Sequence, residues 1–157
     1  MGVEVERKFL VVGDGWRADV HSATRIVQGY IARTDGAVVR VRIKGAHAYL
    51  TLKGVTRGIA RSEFEYEIPV GDAEAMLAEL TQGPVIDKVR HLVAVGDHTW
   101  EVDVFAGENA PLVMAEVELA HADEAFEVPP WAGADVSDDP RYYNANLAEV
   151  PYSRWSA

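Results

Sequence analysis

The feature that most constrains the fold is a period of two in hydropathy, repeated along nearly the whole chain. Val3 to Val11 alternates, setting Glu4, Glu6 and Lys8 against Val3, Val5, Phe9 and Val11, with Arg7 the exception. Val38 to Lys44 sets Val39, Val41 and Ile43 against Arg40, Arg42 and Lys44, and Ser62 to Ile68 sets Phe64, Tyr66 and Ile68 against Glu63, Glu65 and Glu67. Successive side chains of a strand point to opposite faces, so these segments read as half-buried strands. Further strands are expected over 25–33, 49–53, 85–95, 99–105 and 112–120. Asp35-Gly36, Gly45 and Gly96-Asp97 are turn signals that join neighbours as hairpins. One helix interrupts the series: Asp72 is expected to cap it, Ala73, Met76, Leu77 and Leu80 form its apolar stripe, and Gly83-Pro84 stop it. A short second helix is expected near 142–149. The expectation is a mainly β (α+β) chain of about eight antiparallel strands with a few flanking helices. Eight strands can close into a barrel, which removes exposed edges. No linker or internal repeat divides the sequence, so residues 1–157 read as a single domain of ordinary size.

Sorting the charged residues by strand parity puts Glu4, Glu6, Lys8, Arg40, Arg42, Lys44, Lys53, Glu63, Glu65, Glu67, Lys88, Arg90, Glu101, Asp103, Glu116 and Glu118 on one face. A solvated sheet face explains charges on any one strand without invoking function. Here nearly all the long strands carry them, and they are sorted into acid pairs on some strands and bases on others. Like charges at i and i+2 repel, as in Glu4-x-Glu6 and Arg40-x-Arg42-x-Lys44, and a solvated face gains nothing from such clusters. Clusters of both signs on one concave surface do have a chemical use. Carboxylates bind a hard divalent cation, arginines clamp phosphate oxygens in pairs, and lysines add point charge. Phosphoryl transfer depends mostly on positioning and charge stabilisation of this kind.

The formal net charge of −10 argues against nucleic acid as a partner, because phosphates are repelled by the sum even where a local basic cluster attracts them. There is no cysteine, hence no disulfide and no thiolate metal site. No apolar run is long enough to span a bilayer, and Glu4 and Glu6 stand where a signal peptide needs bases, so a cytoplasmic location without membrane association is expected. His21, His47, His91, His98 and His121 are scattered without metal-ligand spacing and read as surface or structural residues.

The series as a whole resembles the CYTH, or triphosphate tunnel metalloenzyme, superfamily. Glu4-Val5-Glu6-Arg7-Lys8 matches its ExExK signature. Gln28-Gly29-Tyr30, Val39-Arg40-Val41-Arg42, Thr51-Leu52-Lys53-Gly54 and Arg61-Ser62-Glu63-Phe64-Glu65 follow in the family's order. Lys88-Val89-Arg90, Trp100-Glu101-Val102-Asp103 and Ala115-Glu116-Val117-Glu118 come next. ExExK alone is a weak signal, whereas the whole series spans almost the entire chain. The tail from Trp131 through Asp139-Pro140-Arg141-Tyr142-Tyr143-Asn144 to Trp155 is similar to that of the small bacterial inorganic triphosphatases. Ala134 stands where those relatives carry a base, which implies one phosphate contact fewer at the tunnel mouth.

This resemblance implies a closed eight-stranded antiparallel tunnel and metal-dependent hydrolysis of inorganic tripolyphosphate to pyrophosphate and phosphate, with Mg²⁺ or Mn²⁺ as cofactor. It implies Glu4, Glu6, Glu116 and Glu118 as metal ligands, and Lys8, Arg40, Arg42, Lys53 and Arg90 as phosphate-binding bases. Glu63, Glu65 and Asp103 either hold a second metal or orient the bases. Lys88 and Tyr30 are the candidate catalytic pair, with the lysine expected to be kept neutral by its basic neighbours so that it can activate water. Alternatives are an organic triphosphatase acting on thiamine triphosphate or a nucleotide, a class IV adenylyl cyclase, and a non-catalytic polyphosphate- or nucleotide-binding module. An organic substrate requires a platform for its base, for which loops around Trp16 and Trp131 are the available aromatics. A homodimer is left open.

Overall fold

In the computed structural model, which describes residues 2–81 and 83–155, the alternating segments pair into one antiparallel sheet. In chain order the strands are β1 (Gly2–Val11), β2 (Val20–Arg33), β3 (Val38–Lys44), β4 (His47–Lys53), β5 (Ala60–Ile68), β6 (Ile86–Val95), β7 (His98–Phe105), β8 (Val113–Glu118) and β9 (Ala132–Asp135). Their spatial order is β5-β4-β3-β2-β6-β7-β8-β1, and β1 pairs back onto β5 through Gly2 to Val5. Eight strands thereby close into a barrel. The first half of β1 pairs with β5 and the second with β8, where Glu6 opposes Glu118 and Lys8 opposes Glu116. That division is the stagger that a closed, tilted barrel imposes.

The strands expected from alternation are all present, with shifted ends. β2 begins at Val20 rather than at Arg25, because Val20 to Arg25 finds partners along Val89 to Val93 of β6 although it shows no clean alternation. β8 stops at Glu118, short of the expected end at Ala120. The ninth strand was not legible. Ala132-Gly133-Ala134-Asp135 has neither branched nor aromatic residues, and it pairs with β1 at Phe9 and Val11 only because its small side chains fit there. A Cβ on Gly133 would lie 2.8 Å from Val12 Cγ2.

Helix α1 covers Val70–Glu79, starting before Asp72. Pro69 is its N-cap residue and no side chain caps it, so the expected Asp72 cap is corrected: Asp72 sits inside the first turn, where its charge complements the helix dipole. The helix ends at Leu80, ahead of Gly83-Pro84. The expected C-terminal helix is a 3₁₀ turn at Pro140–Tyr142 followed by α2, Asn144–Glu149. Among the described residues no helix is long and apolar enough to cross a membrane.

Much of the apolar outer face of the barrel is covered, in one part by a helix and in another by aromatic side chains, while Val3, Leu52, Phe64 and Tyr66 remain exposed. Over β2, β3 and β4, α1 contributes Ala73, Met76 and Leu77 to a cluster with Val41, Ala48 and Ile43. Over β1, β6, β7 and β8 lies an aromatic cluster instead. Trp100 is fully buried there, with ring centroids 5.3 Å from Phe9 and 5.4 Å from Trp131, and Trp16 joins it from a 3₁₀ turn. A third cluster lies on the lumen side: Tyr30, Ile86, Phe105 and Met114, of the same parity as the inward charges, pack with Tyr142 and Leu147 and seat α2 against the inner wall.

Gly29 shows how tightly α1 is set. A Cβ built there would meet Thr81 Cγ2 at 2.6 Å and Leu77 Cδ2 at 3.1 Å, while Thr81 Oγ1 is itself fixed by donating to the Leu77 carbonyl. Gly29→Val therefore forces helix and strand apart. A loss of about 1–3 kcal/mol in unfolding free energy is expected from overpacking. Urea unfolding checks this, and a change below about 0.5 kcal/mol, the level typical of an unconstrained surface site, would refute the close approach.

Candidate active site

Parity places the charged face inside the barrel. Of the sixteen positions sorted onto that face, all but Asp103 and Glu67 line one central cavity of about 350 Å³. Glu67 lies at an exposed end, paired with His47. Asp103 is 1% exposed and lies directly behind the cavity-lining Lys88 and Arg90. Tyr30 also lines the cavity.

The carboxylates crowd together across three strands. Glu6 faces Glu118 on β8, and Glu116 faces Glu101 on β7. Like charges directly opposite one another destabilise a sheet. Burial, then Glu116, pushes Glu6 above the usual carboxylate range; burial, then Glu4, Glu101 and Glu6, pushes up Glu118. Glu101 is raised first by burial, and Glu116, Asp103 and Glu6 add to the rise. Bases hold some of these acids. Lys8 Nζ donates to Glu6 Oε1 at 2.9 Å and to Glu116 Oε1 at 2.7 Å, and Lys53 Nζ donates to both oxygens of Glu4 at 3.0 and 3.1 Å. Burial opposes ionisation of Glu116, but Lys8, Arg90 and Lys88 outweigh it and hold that group well below the ordinary value.

As these side chains stand, no group of three or more acidic or histidine residues among the described residues converges as a preformed metal cage. Glu4, Glu6 and Glu116 are each turned toward a lysine. The donor set nevertheless fits a hard divalent cation. The oxygens are carboxylates, they lie on adjacent strands facing one lumen, and their mutual repulsion is what a bound cation relieves.

The bases occupy the facing wall. Arg90 grips Asp103 with Nε at 2.8 Å and Nη2 at 2.9 Å, and reaches Glu101 through Nη1 at 3.2 Å. Arg40 Nη2 donates to Thr51 Oγ1 at 3.1 Å and to Glu65 Oε2 at 3.4 Å, while its buried Nε has no partner. Arg42 is the least compensated. It is buried, pairs with no carboxylate among the described residues, and donates from Nε to Gln28 Oε1 at 2.7 Å. Burial first, then Arg40 and Arg90, pulls its pKa down to about 9.

Lys88 is buried, with Nζ 2.8 Å from Asp103 Oδ2 and 2.8 Å from Asn144 Oδ1. Its pKa is drawn down to about 7. The sequence reading assigned that depression to basic neighbours; burial is the larger cause, Asp103 acts in the opposite direction, and Arg90 and Arg42 come after it. Asp103 itself is held down at about 2: burial opposes its ionisation, and Arg90 and Lys88 outweigh that. This makes Asp103 a partner of the two bases, the supporting half of its expected role. The Tyr30 hydroxyl accepts from Gln28 Nε2 at 2.8 Å, so Gln28 joins Tyr30 to Arg42.

Several cavity residues carried no assignment from sequence. Arg61 opposes Glu4 on β1, lines the cavity and has a buried Nε without a partner; it shares parity with Glu63 and Glu65, which was the available signal. Glu101 was sorted inward but given no role. Arg33 reaches the lumen because a register shift between Tyr30 and Ala32 re-aims the end of β2, which no alternation rule anticipates. Two expectations are corrected. Trp16 and Trp131 are buried in the aromatic cluster outside the barrel and offer no platform to a ligand; the aromatics lining the cavity are Tyr30 and Tyr143. Ala134 is exposed on β9 and outside the cavity lining, so it does not shape the tunnel mouth.

A closed antiparallel barrel whose lumen holds opposed clusters of carboxylates and guanidinium or ammonium groups belongs to the class of proteins built to enclose a polyanion together with a cation. The CYTH domain profile matches residues 2–143, and the chain belongs to the CYTH family. An inorganic triphosphatase from Acetivibrio thermocellus is 45% identical over 155 residues, covering 99% of both chains. One from Nitrosomonas europaea is 40% identical over 151 residues, covering 92% of this chain and 96% of its own. The crystal structure of an inorganic triphosphatase, at 38% identity, superposes with a TM-score of 0.67 over 94% of this chain and 95% of that one.

Proposed function

We propose that this chain hydrolyses inorganic tripolyphosphate to pyrophosphate and phosphate, with Mg²⁺ or Mn²⁺, inside the barrel. The observation that carries this is the pair of unmet demands in one lumen. Arg42 and the Nε atoms of Arg40 and Arg61 lack an anionic partner, while Glu6, Glu101 and Glu118 are crowded beyond what the lysines relieve. A linear polyphosphate bound with a cation meets both. The similarity to the two triphosphatases over nearly the whole chain supports the same reading.

Lys8, Arg40, Arg42, Lys53 and Arg90 hold the phosphate oxygens, trading their present carboxylate partners for the substrate. Glu4, Glu6, Glu116 and Glu118 supply ligands for the cation, with Glu63 and Glu65 beside Lys53 and Arg40 available to a second one or to orient those bases. A divalent cation held there would neutralise charge developing on the phosphate oxygens. Lys88 in its neutral form takes a proton from water, and the water oxygen bonds to the terminal phosphorus. The bridging P–O bond breaks, and pyrophosphate leaves with the electron pair. Tyr30, fixed by Gln28, lines the same cavity and orients that water.

Among organic alternatives, a nucleotide or thiamine triphosphate presents the same three phosphates but must stack its ring somewhere. With Trp16 and Trp131 outside the barrel, the rings left to it are Tyr30, tied to Gln28, and Tyr143, whose hydroxyl donates to the Ser137 carbonyl at 3.2 Å, so that gain is reduced. Tripolyphosphate is therefore expected to exceed ATP in kcat/KM by about tenfold or more, which needs only about 1.4 kcal/mol of differential transition-state binding. Pyrophosphate, engaging fewer of the bases, is expected to be cleaved poorly. A phosphate-release panel of tripolyphosphate, ATP, thiamine triphosphate and pyrophosphate checks this. Preference for ATP or thiamine triphosphate moves the chain to the organic triphosphatases; cyclic product moves it to the cyclases; tight binding without release makes it a binding module.

A further inference from the structure

The matched family profile ends at Tyr143. The next residue, Asn144, opens α2 and turns its side chain into the cavity. Its Oδ1 accepts from Lys88 Nζ at 2.8 Å and lies 3.5 Å from Gln28 Nε2, the same nitrogen that donates to the Tyr30 hydroxyl. One oxygen from outside the matched region thus contacts Lys88 directly and is linked to Tyr30 through Gln28. Its placement is rigid. Leu147 and Ala148, one turn further along α2, are buried beside Ile86 and Phe105, while Arg33 ties down Glu149, Asn146 and the Ala145 carbonyl.

We propose that Asn144 is a positioning residue for hydrolysis, one that fixes the orientation of the Lys88 amine. This rests on the reading of Lys88 as the group that takes the proton from water. A neutral primary amine has two N–H bonds and one lone pair. Asn144 Oδ1 accepts one N–H at 2.8 Å, and Asp103 Oδ2 lies 2.8 Å from the same nitrogen as its ionic partner. Both oxygens repel a lone pair, which is thereby directed away from them, toward the cavity that Lys88 lines. Without Asn144, rotation about Cε–Nζ lets an N–H take the place of the lone pair for part of the time, and the fraction of complexes with a usable base falls. The phosphate clamp is reached only indirectly: Asn144 itself bonds none of Lys8, Arg40, Arg42, Lys53 or Arg90, and its one link to them is the 3.5 Å contact with Gln28 Nε2, whose Oε1 accepts from Arg42 at 2.7 Å.

The test is steady-state tripolyphosphate hydrolysis by the full chain with Mg²⁺, alone and crossed with Lys88→Ala. Asn144→Leu keeps the shape and removes the acceptor. It is expected to lower kcat by about tenfold, a partial loss against the 10²–10⁴-fold worth of a general base, with KM within about twofold. Asn144→Asp keeps an acceptor oxygen but adds a charge that favours the Lys88 ammonium, so its kcat is expected to recover only as pH is raised, with the pH profile shifted upward relative to wild type. Asn144→Ala is read beside them so that a folding defect of the leucine variant, visible in its melting curve, does not decide the matter. In the Lys88→Ala background the Asn144→Leu loss should vanish, since residues acting through one group are not additive. If Lys88→Ala lowers kcat but Asn144→Leu and Asn144→Ala do not, or act through KM, the positioning role is overturned and the reading of Lys88 stands. An undiminished Asn144→Leu loss without Lys88 likewise overturns it. If Lys88→Ala leaves kcat intact, the reading of Lys88 fails and takes this proposal with it.

Discussion

Glu6→Gln is expected to lower tripolyphosphate hydrolysis by at least about 100-fold, the scale of losing a transition-state charge contact, while leaving the metal-free protein at least as stable as before. The two halves follow from one observation. Glu6 is half-buried opposite Glu118 and beside Glu116, and desolvation and Glu116 outweigh the help it receives from Lys8. Its folded pKa lies above the unfolded value, so its contribution to stability is present at low pH and is lost as pH rises through the folded pKa. Above that folded pKa the ionised group burdens the empty barrel. Gln keeps the shape, removes the like charge and retains an oxygen that Lys8 can reach. What it cannot do is bind a hard cation as a carboxylate does. Adding Mg²⁺ to wild-type protein at 100 times its Kd should stabilise the fold by about 2.7 kcal/mol by mass action, and that increment should nearly disappear in the variant. Melting curves with and without cation read this independently of turnover. Undiminished hydrolysis in EDTA, or equal Mg²⁺-induced stabilisation in both proteins, would remove Glu6 from the cation site.

The barrel was legible because charge and parity coincide. A strand with one face in a charged lumen and the other apolar must alternate, and β1, β3 and β5 do so almost without exception, although the apolar side of β5, Phe64 and Tyr66, is exposed. Arg7 broke the pattern for a reason that lies elsewhere in sequence: on the outer face it pairs with Asp135 of β9, a strand too small in side chain to be seen. The cavity residues on alternating strands were found by the same rule. Those that escaped it reach the lumen by other means. Arg33 arrives through a register shift, Asn144 arrives from a loop and helix outside the sheet, and Arg61 sits one register step before the segment that seemed to begin at Ser62. The misplacement of Trp16, Trp131 and Ala134 has a common cause. Sequence order shows which residues lie in connections and end segments, but not whether those segments cover the outside of the barrel or its mouth.

Lys88→Ala is expected to lower kcat by about 100-fold or more, within the range by which general bases accelerate proton transfer, with little change in KM. The argument starts from what Lys88 lacks. It is fully buried, and like Arg42 it pays more for its charge than it gains, but a lysine starts lower and so is brought into the neutral range. Lys8 shows the contrast. Burial opposes its protonated form too, but Glu116 and Glu6 more than compensate and hold it protonated. Lys88 has Asp103 at 2.8 Å, yet Asp103 is shared with Arg90, which takes both its oxygens, and Arg90 and Arg42 repel an ammonium there. The outcome is a pKa near 7, where a substantial fraction of the amine is neutral and can accept a proton. A phosphate clamp needs permanent charge, and the lumen already provides it in Lys8, Arg40, Arg42, Lys53 and Arg90. Arg40→Ala should accordingly behave in the opposite way, raising KM more than it lowers kcat, since its guanidinium grips phosphate in ground state and transition state alike. Steady-state kinetics on both variants separates the two roles. Equal kcat for wild type and Lys88→Ala at saturating substrate would take Lys88 out of the proton transfer and leave it as one more base in the tunnel wall.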